Sequence, residues 1–107
     1  MTDADRDALA RFSFETTVIY WRGPSPFFYA PIPPQHAQDV RWAAKVVSYG
    51  WGVVPVEASV GGAAFTTSLF PKDGGYLLPL KAAVRRKAGI TAGDRIAVEM
   101  TIRPPTR

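Results

Sequence analysis

The stretch from Gly74 to Arg103 constrains the fold most, because it predicts a strand, a short helix, a turn and another strand in close succession. The segment from Lys81 to Ala88 lacks Gly and Pro and consists mostly of good helix formers. Gly89 is expected to end this helix at positive φ, and Gly93-Asp94 is expected to form a turn with Gly93 also at positive φ. Apolar residues then alternate with mostly polar ones, as in a half-buried strand, at Ile96, Val98, Met100 and Ile102.

The remaining elements are predicted from alternation and from Gly and Pro. Strands are predicted at 11–21, 27–32, 53–60 and 63–70, and a helix at 35–48. Pro55 favours an edge position or a bulge for its strand. Gly61-Gly62 predicts a two-residue hairpin, and 71–75 is predicted to be a loop.

This order of elements does not form regular βαβ units. It predicts a mainly β protein with two helices, in which about six strands form a small barrel and the helices cap it. The barrel domain is expected to cover residues 11–103, with tails at 1–10 and 104–107. A chain of 107 residues is long enough for one domain with a modest core.

Composition excludes several classes of site. The sequence has no cysteine, so it has no disulfide framework, thiol nucleophile or thiolate metal site. The N-terminus is polar, and no apolar run approaches the roughly 20 residues of a membrane helix. We therefore expect a cytoplasmic protein without a membrane partner. The net charge of +4 allows an anionic partner but does not require one.

A weak internal similarity occurs at an offset of 48 residues. The sequence FFYAPI at 27–32 and the sequence GYLLPL at 75–80 each precede a predicted helix. Two such matches leave open whether the chain contains a structural duplication or a chance similarity.

The chain resembles the bacterial family called domain of unknown function 1905, over roughly residues 11–103. The matching motifs are Gly61-Gly62, the SLFP of 68–71, Gly74-Gly75 and the LPLKAAVRRKAGITAGDRIAVEM of 78–100. This resemblance implies a double-split β-barrel, and it implies no established activity or catalytic residue. The later part of the chain is also similar to the half-barrel of the AbrB-type transition-state regulators, in which two chains form the barrel and bind DNA. The first half of this chain lacks that motif's arginine and Gly-Asp turn.

Basic residues cluster in one short stretch, and they include Lys81, Arg85, Arg86 and Arg95. One interpretation is a surface that binds anions or a phosphate backbone. The other is a solvated helix face, with Arg85 or Arg95 bonded to Glu99, Asp94 or turn carbonyls. We favour the second interpretation.

Aromatic residues are frequent near predicted strand ends, where a barrel opens. They are Trp21, Phe27, Phe28, Tyr29, Trp42, Tyr49 and Trp51. They either complete the core or line a pocket for a flat apolar ligand, for which the candidates are Trp21, Phe28, Trp42 and Trp51. Stacking of single-stranded nucleic acid is a third, less favoured alternative.

Catalytic machinery is not recognisable. His36 is the one histidine, and no Ser, Asp or Glu stands beside it in a known motif. Asp39 is its one obvious local partner for a metal, so no metal site is predicted, and no cofactor motif is present. Asp94 is interpreted as a residue that bonds within its turn.

The prediction for function is a non-catalytic barrel that binds a small molecule or a protein. The alternative is a nucleic-acid-binding barrel that uses the basic stretch at 81–95. An enzyme is the least supported class, because no nucleophile, base and orienting group are combined.

Overall fold

A computed structural model describes residues 8–23, 27–47 and 54–103. The described residues form seven strands and two helices, which confirms the mainly β fold. The elements are β1 (Ala10–Thr17), β2 (Ile19–Trp21), β3 (Phe27–Pro31), α1 (Pro34–Val47), β4 (Val54–Val60), β5 (Ala63–Lys72), β6 (Gly75–Pro79), α2 (Ala82–Ala88) and β7 (Arg95–Ile102).

The strands form one antiparallel sheet in the order β1-β7-β4-β5-β6-β3-β2. Its two edge strands, β1 and β2, are consecutive in the chain and are joined at Val18. The sheet must therefore curl until its edges meet, and the result is barrel-like. At this junction the buried Thr16 hydroxyl donates a hydrogen bond of 2.6 Å to the carbonyl of Pro31.

The predicted strand at 11–21 is two strands, which is why seven are present where about six were predicted. The Val18 amide donates to the Asp94 carbonyl at 2.9 Å, and the Val18 carbonyl accepts from the Gly93 amide at 2.8 Å. Beyond Val18 the chain leaves this partner and pairs with β3. Alternation over 11–21 would place Tyr20 on the same face as the buried Phe14, but Tyr20 lies past this change of partner and is exposed.

The predicted loop at 71–75 is wrong, because Pro71 and Lys72 continue β5 and pair with β6. The chain reverses in the two residues Asp73 and Gly74, whose φ angles are +52° and +81°. Asp-Gly is a preferred pair for such a turn, since both central residues must adopt positive φ. The hairpin at Gly61-Gly62 is confirmed between β4 and β5.

Pro55 lies in β4, which is an interior strand of the sheet. Proline has no amide hydrogen to donate, but at Pro55 only one side of β4 is paired with another strand. The pairing of β4 with β7 covers Glu57 to Val60, whereas the pairing with β5 begins at Val54. The expected edge position is therefore found locally, at the start of the strand.

The inward side of the sheet is filled by one apolar core. Helix α1 contributes Val40, Ala43, Ala44 and Val47 to this core, whereas Val84 of α2 is buried outside it. The largest buried side chains include Leu69, Leu78, Leu80, Met100, Ile102 and Val98. Among the described residues, neither helix has the length and apolar character needed to cross a membrane.

The C-terminus of α2 has the predicted glycine cap. Gly89 has a φ of +68°, and the Ile90 amide donates to the Arg85 carbonyl at 3.0 Å, as in a Schellman motif. Gly93 has a φ of +91°, so both predictions of positive φ are confirmed. Helix α2 lies against the hairpin between β4 and β5, which we call the first hairpin. A Cβ added to Gly61 in its turn would come within 3.1 Å of the Cβ of Ala88.

The strand pairing is arranged about a pseudo-twofold axis between β3 and β6. The Ile32 amide donates to the Tyr76 carbonyl, and the Leu80 amide donates to the Phe28 carbonyl, both at 3.0 Å. The two bonds are equivalent at an offset of 48 residues, because Leu80 corresponds to Ile32 and Tyr76 corresponds to Phe28. Each strand then leads into a helix, and the strands that follow the helices, β4 and β7, pair with each other. The topology thus supports the interpretation of the sequence similarity as a duplication.

Candidate functional site

The outward side of β2, β3, β6 and the end of β5 is apolar, although that side points away from the core. Residues directly opposite each other in an antiparallel pair share a side of the sheet, so the register defines this surface. We call it the aromatic face, and its main residues are Ile19, Trp21, Phe27, Tyr29, Phe70 and Leu77.

Tyr29 is the centre of the aromatic face. Its ring centroid lies 6.1 Å from that of Trp21, 5.6 Å from that of Phe27 and 5.3 Å from that of Phe70. Tyr29 is 6% exposed, although it does not belong to the inward core. Burial raises the pKa of the Tyr29 phenol above its usual value. The face is therefore a second packed cluster on the outside of the sheet.

The rim of the aromatic face remains accessible to solvent. Trp21 is 36% exposed and Ile19 is 38% exposed. The Lys72 ammonium lies 4.4 Å from the centroid of the Trp21 ring, a cation–π distance, and 3.5 Å from the Asp73 carboxylate. A Cβ at Gly23 would come within 3.1 Å of the Trp21 indole, so the chain packs closely against one side of this ring.

The rest of the outward surface of the sheet is polar. We call the outward side of β1, β7, β4 and the first part of β5 the polar face. Arg95 bonds there to Glu15 at 3.7 Å and to the Thr17 hydroxyl at 3.2 Å. Arg103, just beyond β7, pairs with Glu57 at 3.0 Å. This face has the usual alternation of an antiparallel sheet with one solvated side.

The four predicted ligand-binding aromatics are not assembled into one pocket by the described residues. Trp21 lies on the aromatic face, whereas Phe28 points to the inward side, where it packs against Tyr20 at 4.8 Å. Trp42 lies on α1, is 56% exposed and makes no ring contact with the other described aromatics. Trp51 lies outside the described residues. A binding role for these residues stays a prediction.

The predicted anion-binding residues are divided between two surfaces. Lys81 and Arg86 are exposed at α2, and the Lys81 ammonium lies 3.5 Å from the Thr66 carbonyl. Arg85 is half-buried, donates from Nε to the Leu80 carbonyl at 3.1 Å, and stacks 3.8 Å above the Phe28 ring. Arg95 is part of the polar face instead.

Two predicted contacts of the basic stretch can be compared with the structure. Arg85 or Arg95 was expected to bond to Glu99, Asp94 or turn carbonyls, and the half-buried Arg85 does so at the Leu80 carbonyl. Arg95 instead bonds to Thr17, directly opposite it on β1, and to Glu15, two residues away on that strand. Asp94 bonds within its turn as predicted, since its carboxylate accepts from the Thr91 amide at 2.8 Å. Cross-strand partners of this kind depend on register, which a single segment does not reveal.

Sequence reasoning missed Ile19, Phe70 and Leu77 as members of an outward surface. The signal was present in two short runs without alternation, Phe27-Phe28-Tyr29 and Tyr76-Leu77-Leu78. A strand with one solvated side alternates, so three consecutive large apolar residues indicate that both sides of the strand are covered or in contact.

The family described as Domain of unknown function (DUF1905) matches residues 14–100 of this chain. The match begins within β1 and ends within β7, so it includes the whole barrel-like sheet apart from the strand ends. No curated protein matches the sequence. Because the match covers most of the chain, the protein belongs to the DUF1905 family.

Proposed function

We propose that this protein is a non-catalytic interaction module that binds a protein partner through the aromatic face. The supporting observation is an apolar outward surface on a sheet whose inward side is already filled. A barrel of this kind requires one apolar side for each strand, and the second apolar side of β2 and β3 adds nothing to the inward core. Exposed apolar surface with a polar surround is typical of sites that contact other molecules.

The packed interior favours a protein partner over a small ligand enclosed by the barrel. Inward-facing residues from both ends of the sheet, such as Val18 and Ile102, are at most 1% exposed and belong to one continuous core cluster. Enclosed ligand sites are concave, whereas the aromatic face lies on the convex outside of a curled sheet. Trp and Tyr are also enriched at protein interfaces.

Two tryptophans provide a matched test of this function. Immobilised wild-type protein, Trp21→Ser and Trp42→Ser would be compared for the proteins that they retain from an extract of the organism that encodes the chain. A specific partner should be retained by the wild type and by Trp42→Ser and lost by Trp21→Ser, and it should then bind when purified. Equal retention by Trp21→Ser would contradict the proposal.

A second candidate function is nucleic-acid binding, because the basic residues from Lys81 to Lys87 have no acidic partner among the described residues. No described acidic side chain forms an ion pair with Lys81, Arg85, Arg86 or Lys87. The similarity to AbrB-type half-barrels supports the same candidate. The division of the basic stretch weakens it, since Arg95 is neutralised by Glu15 on another surface.

A salt titration would test the second candidate. If α2 binds a phosphate backbone, affinity for duplex or single-stranded DNA should fall steeply with salt, and Arg86→Gln should lower the slope by about one. Arg95→Gln is the control and should change the slope less. Absence of binding at low salt would remove this function.

We also propose that the fold is a double-split barrel and that the protein is cytoplasmic and bacterial. The pseudo-twofold pairing of β3 with β6 and of β4 with β7 supports a double-split barrel. The absence of cysteine from the sequence fits a reducing compartment and supports the cytoplasmic location. The family resemblance supports the bacterial origin.

A further inference from the structure

We infer that the partner at the aromatic face is a second copy of this chain, so that two barrels form a weak symmetric dimer. This inference rests on the proposed function and gives it a specific partner. The observations that support it are the charge of the face, its shape and its size.

The charge of the aromatic face suits self-association. The chain has a net charge of +4, and two copies repel each other unless their cations lie away from the contact. Of the outward-facing residues described on this face, Lys72 alone is charged, and it lies beside the Asp73 carboxylate and over the Trp21 ring. Other exposed basic residues lie elsewhere, with Lys81 at the start of α2 and Arg86 within it. A nucleic acid or an acidic protein would meet few cations here, because besides Lys72 the exposed Arg22 follows Trp21 and Arg41 of α1 reaches the Gly74 carbonyl in the neighbouring turn. A second aromatic face would meet a mostly uncharged surface like itself.

The shape of the surface favours contact between faces over the addition of a strand. The edge strand β2 has three residues, so a strand added beside it would gain few hydrogen bonds. A twofold axis would place the same residues of both copies opposite each other, as in most homodimers. Two sheets packed in this way lie about 10 Å apart, which is the distance that interdigitated side chains fill.

The size of the surface indicates weak association. Tyr29 and Leu77 are already buried within each copy, so the rim residues Trp21 and Ile19 supply much of the apolar area that remains exposed. A patch of this kind amounts to a few hundred Å², whereas stable complexes bury about 800 Å² on each partner. The dimer should therefore dissociate in dilute solution and form as the concentration rises.

Sedimentation velocity over a range of concentrations would test the inference. Wild-type protein should be monomeric near 1 μM and increasingly dimeric between about 100 μM and 1 mM, the range of weak interfaces. Trp21→Ser should stay monomeric throughout, and Trp42→Ser, the same change at an exposed tryptophan on α1, should behave as the wild type.

A second variant protects the test against misfolding of Trp21→Ser. Ile19→Lys adds a cation at an exposed position of the same face, and each dimer would then contain two such cations near one contact. It should remain monomeric at every concentration, with an unchanged circular dichroism spectrum. Wild-type protein that stays monomeric up to about 1 mM would overturn the inference, as would a dimer that survives both changes on the aromatic face.

The failure of this inference can be distinguished from the failure of the proposed function. If the wild type is monomeric at every concentration and binds a different protein that Trp21→Ser does not bind, the proposed function is retained. The second copy is then excluded as the partner. A dimer that dissociates in Trp42→Ser and not in Trp21→Ser would locate the contact on α1 and overturn this inference, whereas the proposed function would still be decided by the retention experiment.

Discussion

The aromatic face and the polar face lie on the same sheet and share β5, but their outward residues differ in kind. On the polar face, a buried residue is followed by an exposed polar one, as in Val98 and Glu99. On the aromatic face, Leu77 and Leu78 are adjacent, point to opposite sides and are both buried. The inward core therefore accounts for one side of every strand except the short β2, and it leaves the apolar outward side of β6 unexplained.

The difference shows which residues the fold requires. A polar residue at Ile19 would leave the inward core unchanged, just as Glu15 and Thr17 do on β1, while the exposed apolar residue lowers solubility. The polar face shows that this sheet is stable with a solvated side. The exposed rim residues Ile19 and Trp21 therefore add little to the stability of the barrel, which supports the partner contact proposed above.

Replacing the two adjacent leucines of β6 one at a time should show how much the inward core and the aromatic face each contribute to stability. These are the largest effects that we expect. Leu78→Ala leaves a cavity in the inward core and should lower the free energy of unfolding by about 2 to 5 kcal/mol. Leu77→Ala should cost less, about 1 to 2 kcal/mol, because its cluster is shallower. Urea denaturation would measure both. A cost below about 0.3 kcal/mol for Leu77→Ala would mean that the aromatic face is not a packed cluster.

The same comparison on the polar face should give a larger contrast between neighbours. Val98→Ala removes two methyl groups from the core and should cost about 1 to 3 kcal/mol. Glu99→Ala, on the outward side of the same strand, should change stability by less than about 0.5 kcal/mol. Similar costs for both variants, measured by urea denaturation, would show that the polar face is not simply solvated.

The two hairpins allow a test at the turns of each face. Gly61 and Gly74 both have positive φ, at +55° and +81°, so alanine at either position should cost roughly 1 to 2 kcal/mol in backbone strain. A Cβ at Gly61 would also meet Ala88 at 3.1 Å, whereas one at Gly74 would meet no atom within 4 Å. Gly61→Ala should therefore lower the melting temperature more. The reverse order would show that α2 is not held against the first hairpin.

The ion pair of the polar face should contribute least. Arg95 and Glu15 are 63% and 68% exposed in their side chains, so solvent screens their attraction. A double-mutant cycle with Arg95→Ala and Glu15→Ala should give a coupling of about 0.2 to 1 kcal/mol that disappears near 1 M salt. A coupling that persists at high salt would indicate that the polar face is covered by another surface.

Local patterns predicted most of the fold, because hydrophobic alternation and turn chemistry are local. The strand at β7, the cap at Gly89 and the Gly61-Gly62 hairpin follow from neighbouring residues. The break at Val18 does not, since it depends on a change of partner from β7 to β3. The hairpin at Asp73-Gly74 had a recognisable turn pair, but the proline at 71 concealed the continuation of β5.

The candidate site was predicted less well, because a shared surface depends on register between distant strands. Trp21 and Phe28 are both aromatic and near in sequence, yet the pairing of Trp21 with Phe27 places Phe28 on the other side of the sheet. Phe70 joins Tyr29 only because β5 and β3 both flank β6. Composition identified an aromatic surplus but could not assign its members to one side.

The pairing of β1 with β7 also determines how the chain must fold. Ala10 lies opposite Ile102, so closing this ladder joins residues at nearly the greatest separation within the described chain. Sheets dominated by such non-local pairs fold in milliseconds to seconds, because the entropy of loop closure is lost before the contacts form. During synthesis β1 must wait for β7 to leave the ribosome. Until then Phe12 and Phe14 have no completed core, and apolar side chains exposed in this way make an incomplete chain prone to aggregation.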